Sequence, residues 1–465
     1  MTINVTAPNQ IFTSQSDTTV SVNLSSRFDD PFTTGLVARF ELYDTSLAGG
    51  VAEVVLFDQP GQGAPLTVEN FLDYVEADAY ENSFMHRSVP GFIVQGGGYV
   101  TTDISSVQEI ATNDPVQNEF RSDRSNVRGT IAMAKLGGDP NSATSQWFFN
   151  LADNSSNLDN QNGGFTVFGA LASEADLAVA DAIAALPLLA TSAFGELPVI
   201  TDNPTNPLVE SLANLVRFRD ITVSEVDELE FAVISNSNPD LVTATVVNNE
   251  LVLNYADGQT GTTTLVLEAT NLLGETRQEE LSLTVGDGTR VSGSNQADEL
   301  LGSNASNRLN GRGGNDQIVG FKRGDRLVGG GGNDNLDGDG GNDILIGGAG
   351  KDTLLGDGGQ DTLRGGNAKD SLAGDNGNDI LDGGKGSDTL EGGKGRDRFV
   401  LKGGPGRDTI ADFSNGQDRL LLRGFSFGDL SITQQNQDTL IRSGSDALVL
   451  LTGIDADTIT QADIV

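Results

Sequence analysis

The stretch GGGGNDNLDGDGGNDILIGGAGKDTLLGDGGQDTLRGG, residues 329–366, contains an aspartate at every ninth position. These are Asp334, Asp343, Asp352 and Asp361, and two residues after each one stands a leucine. The register continues in both directions, with Asn307 as its one substitution. Its further aspartates are Asp298, Asp316, Asp325, Asp370, Asp379, Asp388 and Asp397. A fixed period held over this many units is the sequence signature of a stacked solenoid.

The residue types predict what each unit forms. The leucine indicates a short strand that faces a narrow core, and the glycines indicate turns with backbone angles that side chains disfavour. Glycine and aspartate tend to alternate at the second position of the unit, as in Gly330 and Asp339, which predicts two units per coil. Carboxylates stacked at the strand spacing, about 4.8 Å, would repel unless a cation lay between them. With turn carbonyls they form the oxygen shell that Ca²⁺ prefers.

The candidate calcium ligands are Asp316, Asp334, Asp343, Asp352, Asp361, Asp370, Asp379, Asp388 and Asp397. A flexible Gly/Asp-rich linker is the alternative, but a linker has no reason to keep the units in phase with a leucine. The repeat resembles the RTX nonapeptide family, GGxGxDxUx, and residues 329–397 match that pattern closely. Arg323 replaces a glycine in the weaker unit GFKRGDRLV. The resemblance implies a parallel β-roll over residues 290–400 that folds when calcium binds.

The end of the chain resembles the closing region of exported RTX proteins, most clearly in DTIADFSNGQDRLLL, residues 408–422. We expect residues 401–465 to form a β cap and to carry the signal read by type I secretion machinery. The first residues lack a basic region followed by an apolar run, so we expect no cleavable signal peptide. The repeat and the tail together predict a secreted protein, either free or attached to the cell surface.

Residues 223–289 contain short alternating runs such as LVTATVV and ELVLNY, separated by turn residues. This pattern predicts an all-β sandwich. The segment resembles immunoglobulin-like and cadherin-like modules, and a spacer or a weak adhesion module is its expected role.

Two stretches of the first half carry the strongest resemblance. They are NFLDYVEADAYENSFMHRSVPGFIVQGGGY, residues 70–99, and RGTIAMAKLGGDPNSATSQWFFNLADNSSNLDNQNGGFTVFGAL, residues 128–171. Both resemble cyclophilin peptidyl-prolyl cis-trans isomerases of the bacterial type, and the likeness extends over residues 35–222 after an N-terminal extension, 1–34. It implies a β-barrel with flanking helices, which makes the predicted fold mainly β and multidomain.

The residues are consistent with this chemistry. Rotation about a peptide bond has a barrier of about 18–20 kcal/mol, because the bond has partial double-bond character. Lowering it requires a dry apolar pocket for the proline ring and a fixed donor aimed at the prolyl nitrogen, but no cofactor. Arg87 is a permanently charged donor with a planar fork, and Gln95 can hold the substrate backbone or orient Arg87. Trp147 and Phe149 flank Phe148 in a strand-like run and should point to the opposite face.

By resemblance, Arg87 stands at the catalytic arginine position. We assign Arg87, Gln95, Phe92 and Phe148 to catalysis, and Ile93, Ala134, Leu158, Phe165 and Asn157 to substrate binding. Three residues depart from the family pattern. Asn157 replaces a Trp or Phe, Phe165 replaces a His found in many members, and Lys135 replaces an Asn. The first change should loosen one edge of the proline pocket, and we expect activity to survive.

Composition excludes several other functions. The net charge of −38 argues against nucleic acid and anionic membrane surfaces as partners. Runs of about 18 apolar residues, which a membrane-spanning helix needs, do not occur. The chain has no Cys and one His, His86, which excludes a His-Glu-x-x-His metalloprotease.

The sequence therefore predicts a secreted isomerase that acts on proline-containing polypeptides and carries calcium in its repeats. The alternative is an extracellular binding or adhesion protein whose cyclophilin-like domain, residues 35–222, binds proline-containing segments without turnover. An isomerase assay separates these two functions.

Overall fold

The computed structural model describes residues 3–13, 19–256, 259–286 and 289–465. These fall into two compact units. The barrel unit comprises Met1–Val5, Phe28–Phe231 and Ala269–Arg277, and the solenoid unit comprises Thr6–Arg27, Ala232–Glu268 and Gln278–Val465. Strands dominate both units, as predicted.

The barrel unit is built on an eight-stranded antiparallel sheet and three helices. The strands are β1 (Leu36–Leu42), β2 (Val51–Leu56), β3 (Arg87–Val89), β4 (Ile93–Gly96), β5 (Thr130–Met133), β6 (Trp147–Asn150), β7 (Val167–Leu171) and β8 (Phe218–Glu225). The helices are α1 (Pro65–Glu76), α2 (Ser155–Leu158) and α3 (Glu174–Ala184). Within the sheet the strands follow the order β8-β1-β2-β7-β5-β6-β4-β3.

The sheet closes into a barrel just before β3. Phe84 forms an antiparallel bridge with Arg217, and the Met85 amide donates to the Val216 carbonyl at 2.9 Å. The interior contains a cluster of aromatic side chains, several of which meet edge to face, and the ring centroids of Phe40 and Trp147 are 5.1 Å apart. Apolar residues of α1 and α3 belong to the same core.

Alternation along β6 separates the two faces of the barrel wall. Trp147 and Phe149 point into the core, whereas Phe148 belongs to a second apolar cluster on the other face. The prediction that Trp147 and Phe149 are core residues is therefore confirmed. This second face carries the candidate site.

The solenoid unit contains two long rows and one short row of parallel strands. The first row is Glu299–Leu301, Gln317–Val319, Asn335–Asp337, Thr353–Leu355, Ser371–Ala373, Thr389–Glu391 and Asp408–Ile410. The second row is Arg290–Ser292, Arg308–Gly313, Arg326–Gly331, Ile344–Ala349, Thr362–Asn367, Ile380–Lys385, Arg398–Lys402 and Arg419–Arg423. A third row consists of Gly358–Gly359, Asn376–Gly377 and Lys394–Gly395.

Each strand of the repeat pairs with its equivalent one coil later. Leu336 lies beside Leu354, and Leu345 lies beside Leu363, so like positions stack 18 residues apart. The stacked leucines are fully buried in one continuous core. The predicted two-unit coil is therefore confirmed.

The turn geometry explains why glycine alternates with aspartate at the second position. Gly330 and Gly348 have φ angles of 114° and 118°, which strongly favour glycine. Asp339 and Asp357 have φ angles of 58° and 59°, in the left-handed region that aspartate tolerates. The two turns of each coil therefore select different residues.

The C-terminal cap closes one end of the roll, as predicted. The strands Leu430–Gln435, Asp438–Ser443 and Asp446–Leu451 form an antiparallel meander, and its last strand pairs in parallel with Asp408–Ile410. Ile441, Val449 and Leu451 join the leucine core.

The middle segment is all β, as predicted, but its sheets include strands from the start of the chain. Its strands are Leu229–Asn236, Val242–Val247, Glu250–Tyr255, Gly261–Asn271 and Thr276–Val285. The strand Gln10–Thr13 lies between Thr276–Val285 and Glu299–Leu301 and is parallel to both. The strand Thr19–Asn23 pairs with Glu250–Tyr255. A separate immunoglobulin-like module stays a prediction.

A buried charge cluster ties this N-terminal segment to the first coil of the repeat. The Arg27 guanidinium contacts Glu299 at 2.5 Å and Glu279 at 3.0 Å, and it also donates to the Pro8 carbonyl. Removing one member would leave a buried charge uncompensated, which is strongly destabilising. The strand Gln10–Thr13 and Arg27 therefore help to close the end of the roll opposite the C-terminal cap.

Among the residues that the structure describes, no helix combines the length and apolar character needed to cross a membrane.

Candidate functional site

The register of the barrel places three of the predicted site residues in one row. Arg87 pairs with Gln95, Gln95 pairs with Phe148, and Phe148 pairs with Ala132. Directly paired residues point to the same face of a sheet. Neighbouring strands lie about 4.8 Å apart, so the backbones of Arg87 and Phe148 are about 10 Å apart. This row lies on the face opposite the barrel core.

An apolar cluster lies at the Phe148 end of the row. Ile93, Phe148 and Leu158 are buried in it, and Phe92, Ala134 and Phe165 are half-buried against it. Ile93 precedes Gln95 by two residues in β4, so both side chains lie on the same face. All of the predicted apolar site residues are therefore brought together.

Helix α2 delivers Leu158 to this cluster. The side chain of Asn154, just before the helix, donates to the Phe92 carbonyl and to Asn150 Oδ1, both at 2.8 Å. The Leu158 amide bonds back to the Asn154 carbonyl at 2.8 Å. These bonds hold one wall of the cluster against the loop that precedes β4.

The two polar residues of the row, Arg87 and Gln95, each form a hydrogen bond with a neighbouring side chain. Arg87 donates from Nε to Glu196 Oε2 at 3.0 Å, and its side chain is about half exposed. Gln95 donates from Nε2 to Gln146 Oε1 at 2.8 Å. Sequence reasoning missed Glu196 and Gln146, because neither lies in the motifs that identify Arg87 and Gln95.

The three departures from the family pattern differ in their surroundings. The Phe165 and Phe148 rings meet edge to face, with their centroids 5.9 Å apart. The Lys135 ammonium lies 4.8 Å from the centroid of the Phe165 ring. Lys135 also donates to the carbonyls of Asn162 and Gly164, and burial lowers its pKa to about 8. Asn157 is exposed, and its Oδ1 accepts a hydrogen bond from Gln161 Nε2. Its polar side chain therefore does not extend the apolar wall of the pocket.

A cavity of about 380 Å³ lies beside the row. Its lining residues are Gln95, Thr112, Pro115, Ala134, Lys135, Leu136, Asp139, Ser142, Thr144 and Gln146. Gln95 and Ala134 were predicted as site residues, whereas Thr112 lies outside both motif stretches and Thr144 was not singled out within the second. An extended peptide bound along the row would pass this cavity.

In the solenoid unit, each register aspartate from Asp316 to Asp397 uses one carboxylate oxygen, Oδ1, as a structural acceptor. Asp334 Oδ1 accepts the Asp316 amide and Asp352 Oδ1 accepts the Asp334 amide, each at 2.9 Å. The bond therefore joins residues one coil apart. Within the described ranges the second oxygen, Oδ2, is buried without a hydrogen-bond partner in Asp316, Asp325, Asp334, Asp343, Asp352, Asp361, Asp370, Asp379, Asp388 and Asp397.

These orphaned oxygens fit calcium. A Cβ atom placed on Gly347 would lie 2.4 Å from Asp352 Oδ2 and 2.6 Å from the Gly365 carbonyl oxygen. Carboxylate and carbonyl oxygens thus converge beside the same glycine, and they are the donor types of a calcium shell. The described residues contain no cluster of three or more acidic, His or Cys side chains that could hold a metal, so main-chain carbonyls would have to complete each shell.

The electrostatics of the stack agree with cation binding. Burial raises the pKa of Asp334 to about 6, and burial with repulsion from neighbouring carboxylates raises the pKa of Asp361 and Asp370 to about 7. An ionised carboxylate is therefore unfavourable at these positions unless a positive charge compensates it.

Two family models match the chain. The model for cyclophilin type peptidyl-prolyl cis-trans isomerase/CLD matches residues 44–202. The model for the RTX calcium-binding nonapeptide repeat (4 copies) matches residues 291–320, 328–363 and 364–399.

Two bacterial relatives align with the barrel unit. A peptidyl-prolyl cis-trans isomerase of Acinetobacter baylyi is 39% identical over 147 residues, which are 31% of this chain and 71% of the relative. The chain belongs to the cyclophilin-type peptidyl-prolyl cis-trans isomerase family. Peptidyl-prolyl cis-trans isomerase A of Dickeya dadantii is 45% identical over 127 residues, 27% of this chain and 62% of the relative. The predicted family, enzyme class and calcium-binding repeats are thereby confirmed.

A crystal structure of a cyclophilin type isomerase from Cryptosporidium parvum matches with a TM-score of 0.28 and 20% identity. The match covers 41% of this chain and 98% of that one. A likeness of this size adds nothing to the family assignment.

Gly347→Ala should weaken calcium binding by the repeat, because the new methyl group would crowd Asp352 Oδ2 and the Gly365 carbonyl. We expect the calcium midpoint of folding, followed by circular dichroism, to rise several-fold. Gly340→Ala is the matched control, since a Cβ there meets nothing within 4 Å. Equal midpoints for the two variants would contradict this placement of the ligands.

Proposed function

We propose that this cyclophilin is a secreted peptidyl-prolyl cis-trans isomerase whose repeats fold around calcium outside the cell. The observation that carries the catalytic part is the row in which Arg87 and Gln95 lead to the buried ring of Phe148. It offers a charged donor at one end and an apolar pocket at the other.

The row suggests how isomerisation proceeds. The proline ring enters the cluster of Ile93, Phe148 and Leu158, which excludes water. Arg87 then donates to the prolyl nitrogen as the amide twists and loses its resonance. Gln95, held by Gln146, binds the substrate main chain. Only the twisted state gains the full bond to Arg87, so the barrier falls.

The substrate class follows from this pocket. An apolar pocket next to a surface groove accepts proline within a polypeptide, and Asn157 leaves one edge of it open. We therefore propose proline-containing segments of exported proteins as substrates, bound more weakly than with an aromatic residue at position 157.

The calcium part rests on the orphaned carboxylate oxygens of the stack. Asp316, Asp334, Asp343, Asp352, Asp361, Asp370, Asp379, Asp388 and Asp397 would hold the ions together with turn carbonyls. Bound calcium supplies the positive charge that lets these buried carboxylates ionise. Because calcium is scarce in the cytosol and abundant outside, we propose that residues 290–400 fold after export.

Arg87→Ala should lower isomerase activity on a proline tetrapeptide about 10²-fold, the usual cost of losing a preorganised donor. Arg39→Ala is the control, since Arg39 is equally exposed and also paired with glutamates. A protein that binds proline segments without turnover would show no activity in any variant. Equal activity of wild type and Arg87→Ala would remove Arg87 from the mechanism.

Calcium should add β-structure to the intact chain, measured by circular dichroism, and chelator should remove it. The raised pKa values mean that the folded calcium-free coil binds more protons than the unfolded chain, so its stability falls as pH rises through about 6–7. In chelator we therefore expect more β-signal at pH 5 than at pH 8. Protons compete with calcium, so the calcium midpoint should rise at pH 5.5. A spectrum indifferent to calcium would refute the folding proposal.

Deleting residues 401–465 should keep the protein inside the producing cells, whereas the full chain should appear in the medium. Immunoblots of the two fractions measure this. The deletion also removes the cap, so a full chain with Asp352→Asn controls for impaired folding of the roll. Export of the deleted form would contradict a secretion signal in this region.

A further inference from the structure

A short hairpin after α3 lies beside Arg87, at the polar end of the row. Its strands, Leu188–Leu189 and Leu197–Pro198, pair antiparallel. The connecting loop is closed by Thr191, whose hydroxyl accepts the amides of Ala193 at 3.2 Å and Phe194 at 2.8 Å. The Thr191 amide donates in turn to the Phe194 carbonyl at 2.6 Å. The loop is therefore tied together internally just before Glu196.

Apolar contacts anchor this hairpin to the barrel. The centroid of the Phe194 ring lies 5.0 Å from that of Tyr99 and 5.7 Å from that of Phe84, and both pairs meet edge to face. Leu197 and Val199 are buried in the same small cluster. The hairpin thus has a defined position on the barrel wall.

Glu196 contacts β3 through both its main chain and its side chain. Its carbonyl accepts the Ser88 amide at 2.8 Å, and its Oε2 accepts Arg87 Nε at 3.0 Å. Because the main-chain bond is made to the residue next to Arg87, the carboxylate has little freedom to move away from the guanidinium. The pair borders an open cavity of about 500 Å³, so a substrate can reach it.

The geometry of the ion pair matters more than its strength. Both side chains are nearly half exposed, and such pairs add little to stability. The guanidinium is a planar fork, however, so fixing Nε fixes the plane in which Nη1 and Nη2 lie. The pair uses Nε alone and leaves both Nη groups to donate to a substrate.

We propose that Glu196 is a positioning residue that holds the guanidinium plane of Arg87 toward the proline pocket. This inference rests on the proposed isomerase function. Arg87 alone would sample many rotamers on an exposed surface, and a small misplacement of a catalytic group can cost a large factor in rate. Glu196 removes that freedom before the substrate arrives.

The test compares Glu196→Ala and Glu196→Gln in the full chain with calcium present. Both kcat and KM are measured by exchange NMR on a proline peptide. For Glu196→Ala we expect kcat to fall about five- to tenfold with KM within twofold, as misplacement of the donor predicts. Glu196→Gln keeps an acceptor oxygen and should recover most of kcat.

Glu53→Ala is the matched control. Glu53 pairs with Arg39 at 3.2 Å and is as exposed as Glu196, but it lies on β2, away from the row. We expect its kinetics to equal those of the wild type. A second readout is the Arg87 Nε–H signal in ¹H–¹⁵N spectra, which should be protected from exchange in the wild type and lose protection in Glu196→Ala.

A double variant separates positioning from an unrelated structural effect. In an Arg87→Ala background, Glu196→Ala should change nothing further, since the residue it positions is gone. Unchanged kcat in Glu196→Ala, or a rise in kcat, would overturn the inference while leaving the isomerase function intact. Wild-type inactivity would overturn the isomerase function itself.

Discussion

The stack of buried carboxylates is the interaction on which the C-terminal half of this protein depends. From Asp316 to Asp397, each register aspartate accepts a main-chain amide of the preceding coil through Oδ1 and has a buried Oδ2 without a hydrogen-bond partner, as in Asp334 and Asp352. The hydrogen bonds through Oδ1 join neighbouring coils, but they also place like charges close together in one buried column. Hydrophobic burial of a single leucine per unit is small compensation for that repulsion. We therefore expect ion binding and folding to be coupled in this half of the chain.

A different constraint organises the other half. Strand alternation separates the face that fills the barrel from the face that carries the row, so Trp147 and Phe149 pack the core while Phe148 lies in the apolar cluster of the candidate site. The row itself needs no rare geometry. It arises because three adjacent strands are in register, and the side chains at its polar end are then held by Glu196 and Gln146.

Repeats and motifs made much of this predictable. The nine-residue period predicted a solenoid, and the alternation of glycine and aspartate at the second position of the unit predicted the 18-residue coil. The positions of Arg87 and Phe148 were predictable from the motif around each. The position of the strand Gln10–Thr13 was not predictable, because nothing in the local sequence shows that an N-terminal segment pairs with the first coil. Glu196 was missed for the same reason, being distant from Arg87 along the chain.

The sequence by itself determined the period, the residue types of the turns and the side chains available for chemistry. These are local properties, because glycine, aspartate and leucine act within a few bonds of their own backbone. Only the tertiary structure decided which carboxylate oxygen is paired, which carbonyl faces it and which acid meets Arg87. Those contacts join residues far apart in the chain, and their geometry depends on how the whole sheet closes and stacks.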